Sequence, residues 1–288
     1  MKIIDFEDEK YPIKLKEIEN PPKILYAEGN INILNSNCIS IIGSRNCTEY
    51  GIKWCRKFVK ELVKYDITIV SGMAIGIDGI AHKETLKDGG KTIAVLPCGL
   101  NNIYPKQNEN LYYDIISNDG CIITEYKYEE KASSSKFLQR NRIVSGLSLG
   151  TLVVEAAYRS GTSVTANLAN MQRRDVFCIP GSLDNPKSVG TNKLIKNFAK
   201  IAISPEDIIE NYKFISKIQK NDKKKQTKFI TKYSNICDLI SNEPMSIDEI
   251  IRKSEKSARE IMSELTILEI DGKIRKVHGN KYIRGDIY

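Results

Sequence analysis

Apolar residues along this chain fall into two alternating rhythms. Short continuous runs recur at Cys38 to Ile42, Ile67 to Val70, Thr92 to Leu96, Cys121 to Thr124, Thr151 to Val154 and Val176 to Ile179. Several are rich in β-branched residues, the pattern of strands buried on both faces. Between them the apolar positions step by three and four. From Thr48 to Tyr65, Trp54, Phe58, Leu62 and Tyr65 share one helical face and are expected in the core. Further helices are predicted through His82 to about Lys87 and near Gln107–Ser117. Strands alternating with helices predict a parallel sheet covered on both faces. Ahead of it, residues 11–30 read as an irregular lead-in. Pro21-Pro22 excludes helix there, and Ile24-Leu25-Tyr26 reads as a short edge strand before the Gly29-Asn30 turn.

The rhythm changes past residue 230. Ile236, Leu239 and Ile240 mark one short helix, Ser246-Ile247-Asp248-Glu249 has a capping-box pattern opening a second, and Lys256 to Ile270 predicts a third. Lys273 to Val277 and Lys281 to Ile283 form a basic hairpin, completing a winged-helix-like pattern. The third helix carries Glu260, Glu264 and Glu269, which would oppose a phosphate backbone, so a protein-contact or regulatory role is expected for this part. The expected division is residues 1–212 for the α/β domain (1–35 being lead-in), 213–230 for a lysine-rich linker and 231–288 for the small domain.

Charge adds less than it first suggests. Of the net +8, most resides in residues 213–228, which hold seven lysines and one aspartate. Such a run is usually a solvated spacer, so overall basicity does not argue for DNA. No apolar run is long enough to span a membrane, and MKIIDFEDEK lacks a signal-peptide core, so a cytoplasmic protein is expected. Seven cysteines without a CxxC and only two histidines disfavour a disulfide framework, a metal site or a His-based catalytic set. No catalytic residue, metal or cofactor is expected.

The chemistry-bearing residues gather where the predicted strands end. Gly43-Ser44-Arg45, Ser71-Gly72, Pro97-Cys98-Gly99, Ser160-Gly161-Thr162 and Pro180-Gly181 all follow strands, where open α/β sheets bind ligands. Glycine before a helix lets bare N–H groups face an anion, and Arg45 is placed to clamp a phosphate. The segment from Ser71 to Asp78 matches neither a dinucleotide fingerprint nor a P-loop, which disfavours a nicotinamide enzyme and ATP hydrolysis. Asp78 and His82, four apart, read as a helix-stabilising pair. Phe137 stands among Lys136, Arg140 and Arg142, ahead of a glycine-rich turn at Ser145-Gly146 and Gly150. Cations that track a backbone beside an aromatic that accepts a base describe single-strand binding. Glu155 is the one carboxylate placed like a general acid or base; with no partner nucleophile, a structural role explains it equally well.

These segments together resemble the DNA-processing protein A family (DprA, also called Smf). The resemblance runs in order through Tyr11-Pro12, Gly29-Asn30, Ile42-Gly43-Ser44-Arg45, Ser71-Gly72 to Asp78, Leu96-Pro97-Cys98-Gly99-Leu100, Phe137 to Ser148, Glu155-Ala156, Ser160-Gly161-Thr162, Pro180-Gly181 and Gly190-Thr191-Asn192. It implies an extended Rossmann-like, doubly wound, mostly parallel α/β sheet that dimerises, binds single-stranded DNA and loads the RecA recombinase in natural transformation. It also implies a DNA site among Gly43, Ser44, Arg45, Ser71, Gly72, Lys136, Phe137, Arg140, Asn141, Arg142, Gly161, Thr162 and Asn192. Two alternatives stand beside it. Gly150-Thr151-Leu152-Val153-Val154-Glu155 is similar to the GTxxE end of nucleotide phosphoribohydrolases, which would make Arg142 and Glu155 cleave a nucleoside monophosphate. A nucleotide sensor on the same fold is the other.

Overall fold

The computed structural model describes residues 1–212, 240, 244–254, 257–270, 274–277 and 281–284, which fall into two compact units. The first is built on a nine-stranded sheet. Its strands are β1 (Lys2–Asp5), β2 (Ile24–Gly29), β3 (Cys38–Ile42), β4 (Thr68–Ser71), β5 (Thr92–Val95), β6 (Cys121–Thr124), β7 (Gly150–Val153), β8 (Asp175–Cys178) and β9 (Lys200–Ile201). Their spatial order is β1-β2-β6-β5-β4-β3-β7-β8-β9. From β6 to β9 every neighbouring pair is parallel, while β2 runs antiparallel to both β1 and β6. The chain starts the parallel set at β3, winds one way through β4, β5 and β6, then returns to β7 on β3's other side. That reversal creates a switch point with β3 at its centre.

Period-two alternation decides which layer each strand residue joins. In β3, Ile39 and Ile41 face α2 (Glu49–Val63), meeting its Cys55, Phe58, Val59 and Leu62 in one buried cluster. Cys38 and Ile42 face the opposite layer with Ile143 and Val144 of α5 (Ser134–Gly146). Ser40 also faces α5, and its hydroxyl donates to the Val144 carbonyl at 2.6 Å. Around the sheet stand α1 (Ile13–Lys16), α3 (Ile77–Lys87), α4 (Glu109–Ser117), α6 (Gly161–Met171), α7 (Val189–Asn197) and α8 (Glu206–Ile209). The helices α2 and α3 pack together, as do α5 and α6.

Three expectations are corrected. Ile24-Leu25-Tyr26 does belong to a strand, but not to an edge: β1, formed by the first residues, covers it. Ser145-Gly146 is not a turn; it completes α5, whose buried end packs against the lead-in. Asp78 and His82 do not pair. His82 Nδ1 meets Thr92 Oγ1 at 2.6 Å, while Asp78 engages backbone N–H groups of the strand-end turns.

The second unit, taken by itself, has a small antiparallel sheet in the order β10 (Met245–Ser246), β12 (Lys281–Arg284), β11 (Ile274–Val277), with α9 (Ile247–Ser254) and α10 (Ala258–Ile270). Ile240, Ile250, Ile261, Leu265, Leu268, Ile274 and Tyr282 form its core. The expected capping box is present: Ser246 N–H donates to Glu249 Oε2 at 2.9 Å, and Glu249 N–H donates to Ser246 Oγ at 3.3 Å. Ser257 and Glu260 repeat the device at the start of α10. The expected helix around Ile236 and Leu239 and the lysine-rich linker lie outside the described residues.

Candidate nucleic-acid interface

A cleft of about 380 Å³ opens at the switch point, beyond the carboxyl ends of β3, β4 and β7. It is large enough for a nucleotide-sized ligand. The β3 turn contributes Gly43, Ser44 and Arg45; the β4 turn contributes Gly72, Ala74 and Asp78; α5 contributes Phe137, Leu138, Arg140 and Asn141. The loop after β7 and the first turn of α6 close it with Ala157, Ser160, Gly161, Thr162 and Thr165.

Its floor is a buried charge cluster. Asp78, in the first turn of α3, accepts the Gly72 N–H at 3.1 Å and is also reached by those of Gly43 and Ala74. Burial pushes its carboxyl up, and the nearby Arg140 guanidinium and the three amides pull it back. Arg140 Nη1 donates to the Gly72 carbonyl at 2.6 Å and to the Val95 carbonyl. Burial brings its pKa down to about 10, so it stays charged at neutral pH. Gly72 is required here by space, because a Cβ would stand 2.7 Å from the Arg140 guanidinium. Gly76 is required by conformation: its φ of +80° precedes α3 and lets the two turns interlock, with Ile77 N–H donating to the Ser44 carbonyl. This internal carboxylate occupies amide groups that the sequence reading assigned to an external anion.

The rim has the opposite character. Arg45 is exposed and has no carboxylate partner among the described residues; its guanidinium lies 5.2 Å from the centroid of the half-buried Phe137 ring. Tyr104 meets the same ring edge-on at 5.2 Å and is 44% exposed. Across the cleft, Ser160 caps α6 by accepting the Ser163 N–H. The N–H groups of Gly161 and Thr162, at the start of α6, have no acceptor among the described residues. An exposed guanidinium, an aromatic face and two amides without acceptors among the described residues suit a phosphate with an attached base.

Four residues named from sequence do not line this cleft. Ser71 is buried and donates to the Ile41 carbonyl at 2.6 Å. Lys136 is held by Glu130 at 2.9 Å and by the Lys131 carbonyl. Arg142 makes a two-pronged bridge to Glu125 at 2.6 and 2.7 Å and donates to the Asn20 carbonyl, tying α5 to the lead-in. Asn192 grips both backbone groups of Gly181. Glu155 is likewise committed: its buried carboxylate accepts the Thr48 N–H at 2.9 Å and the Thr48 hydroxyl, anchoring the start of α2. Sequence reasoning missed Asp78 as the organiser of the turns and Tyr104 as the rim aromatic. A carboxylate in the first helical turn after a glycine-rich loop was the available signal for Asp78.

Fold and cleft together define a doubly wound α/β protein whose switch point carries a cleft lined by donors that suit a phosphate-bearing ligand. The family model for DNA recombination-mediator protein A matches residues 2–213, and that for the DprA winged helix domain matches residues 231–280. Protein Smf of Escherichia coli is 36% identical over 98% of this chain and 77% of its own length. DNA processing protein DprA of Streptococcus pneumoniae is 41% identical over 72% of this chain and 73% of its own. The X-ray structure of the S. pneumoniae protein superposes with a TM-score of 0.70 at 39% identity, covering 73% of this chain and 74% of that one. DprA from Helicobacter pylori, whose structure is described as giving insight into its single-stranded DNA binding mode, superposes at 0.66 with 31% identity, covering 73% and 95%. The chain belongs to the DprA/Smf family, and carries its mostly parallel α/β domain and its winged-helix domain. No helix among the described residues is long and apolar enough to cross a membrane.

Proposed function

We propose that this chain is a non-catalytic mediator that binds single-stranded DNA in the switch-point cleft. It acts in the cytoplasm as a homodimer that delivers the strand to RecA during natural transformation and recombination. The observation that carries the DNA reading is Arg45, without a carboxylate partner among the described residues, over Phe137 in one cleft with the amides at the start of α6, Gly161 and Thr162. Arg45 and the α6 amides hold phosphate, and Phe137 with Tyr104 offers the base a face. The likeness to the H. pylori protein supports the same ligand. RecA delivery and the homodimer rest on family membership. The hydrolase alternative is weakened because Glu155 is spent on Thr48 and does not line the cleft.

The test is fluorescence anisotropy of a labelled polythymidine strand with wild type and Arg45→Ala across a salt series, with a mononucleotide competitor. Length-dependent binding is expected, with a logarithmic salt slope of about −0.7 for each phosphate held. Arg45→Ala should weaken binding and flatten the slope by one such step. Binding of the mononucleotide alone would favour the sensor, and release of a free base would favour the hydrolase.

A further inference from the structure

Beyond Phe137 and Tyr104, a third exposed aromatic stands beside the cleft. Tyr158 lies in the loop between β7 and α6, between Ala157 and Ser160, which both line the cleft. Its ring is 53% exposed. Lys193 Nζ, from α7, stands 3.6 Å from the ring centroid, and the Arg159 guanidinium stands 5.1 Å from it. Neither cation has a carboxylate partner among the described residues. Lys193 follows Asn192, whose grip on Gly181 fixes the start of α7.

We propose that Tyr158, Lys193 and Arg159 form a second nucleotide subsite, which stacks a base and neutralises a phosphate of the strand held in the cleft. The inference rests on the DNA reading and extends it. An exposed tyrosine alone is ordinary, and lysine stems often lie on aromatic rings. Here, however, the composition of the Phe137 platform is repeated: an exposed aromatic with cations over it, carried by the loop whose Ala157 and Ser160 close the other side of the cleft. A nucleotide supplies what this group lacks, an anion for the cations and a π surface for the ring. A single strand leaving the Gly161 end of the cleft passes along the loop that carries Tyr158.

The test measures anisotropy of a trinucleotide and a twenty-nucleotide polythymidine with the full chain. The variants are Tyr158→Ala, Tyr158→Phe, Lys193→Gln and, as the cleft control, Arg45→Ala. Tyr158→Ala should weaken the long strand by about 5- to 150-fold, the range expected for one lost stack, and leave the trinucleotide unchanged. Tyr158→Phe should bind as wild type, and Lys193→Gln should flatten the salt slope by about 0.7 for the long strand only. Because Tyr158 is exposed, its variants should melt with wild type. Wild-type binding that is lost in Arg45→Ala but unaffected at every length by Tyr158→Ala would overturn this subsite and leave the main reading standing. A wild-type chain that binds no strand overturns both.

Discussion

His82 makes the acid tolerance of this fold a measurable quantity. The Thr92 hydroxyl donates to the Ile69 carbonyl at 2.7 Å, so it accepts from His82 Nδ1, 2.6 Å away. The imidazole therefore carries its proton on Nδ1 and leaves Nε2 bare, buried and without a partner among the described residues. Protonating Nε2 would place an unsatisfied cation in the core, with the charge of Arg140 opposing it. Burial accordingly brings the pKa down to about 3. Between pH 6.5 and 3 the unfolded chain binds a proton that the folded chain refuses, so stability falls as pH falls through that window. Each pH unit costs ~1.4 kcal/mol, so the contribution at pH 5 is a loss of ~2 kcal/mol relative to neutral pH. For a unit of this size that corresponds to roughly 4–8 °C in Tm. Urea and thermal unfolding of wild type and His82→Leu at pH 7 and pH 5 measures it. The variant should lose ~2 kcal/mol less between the two pH values than wild type does. Parallel losses in the two proteins would refute the assignment of a neutral, unpartnered imidazole.

Three further substitutions separate holding the cleft from holding DNA. Gly72→Ala places a Cβ 2.7 Å from an Arg140 guanidinium that two carbonyls pin in place, so a loss of ~1–3 kcal/mol is expected, read as a lower urea midpoint. Arg142→Ala strands the Glu125 carboxylate and should cost ~1–3 kcal/mol. In anisotropy its salt slope should match wild type, because Arg142 does not line the cleft. Glu155→Gln should cost ~1–2 kcal/mol through the weakened start of α2, seen in thermal melts, and leave polythymidine affinity unchanged.

The six inner strands were legible because burial on both faces leaves an uninterrupted apolar run. The strand β1 was not, since Ile4 is its one buried residue and no alternation can show in so short a segment. The helix α5 was read as a cationic stretch and a turn because its buried face includes Arg140, Ser145 and Gly146, which break the apolar stripe. At the site, glycines at strand ends announced the right turns. What sequence could not give was direction. Arg140 and Arg142 are two residues apart on one helix, hence about 200° apart around it. One points under the β4 turn and the other toward Glu125 and the lead-in, so a shared basic cluster resolves into two structural contacts. Arg45 alone of the three guanidiniums stays at the rim without a carboxylate. The same limit concealed Asp78, whose role depends on two turns bringing three amides to one carboxylate.

Occupancy of the cleft itself is tested most directly by photocrosslinking. A bromodeoxyuridine-substituted single strand would be irradiated on the full chain, and the linked peptides mapped by mass spectrometry. Crosslinks at Phe137 and Tyr104, lost in Arg45→Ala and competed by unlabelled polythymidine, are the predicted result. Crosslinks confined to residues 231–288, with none in the peptides around the switch point, would contradict the account.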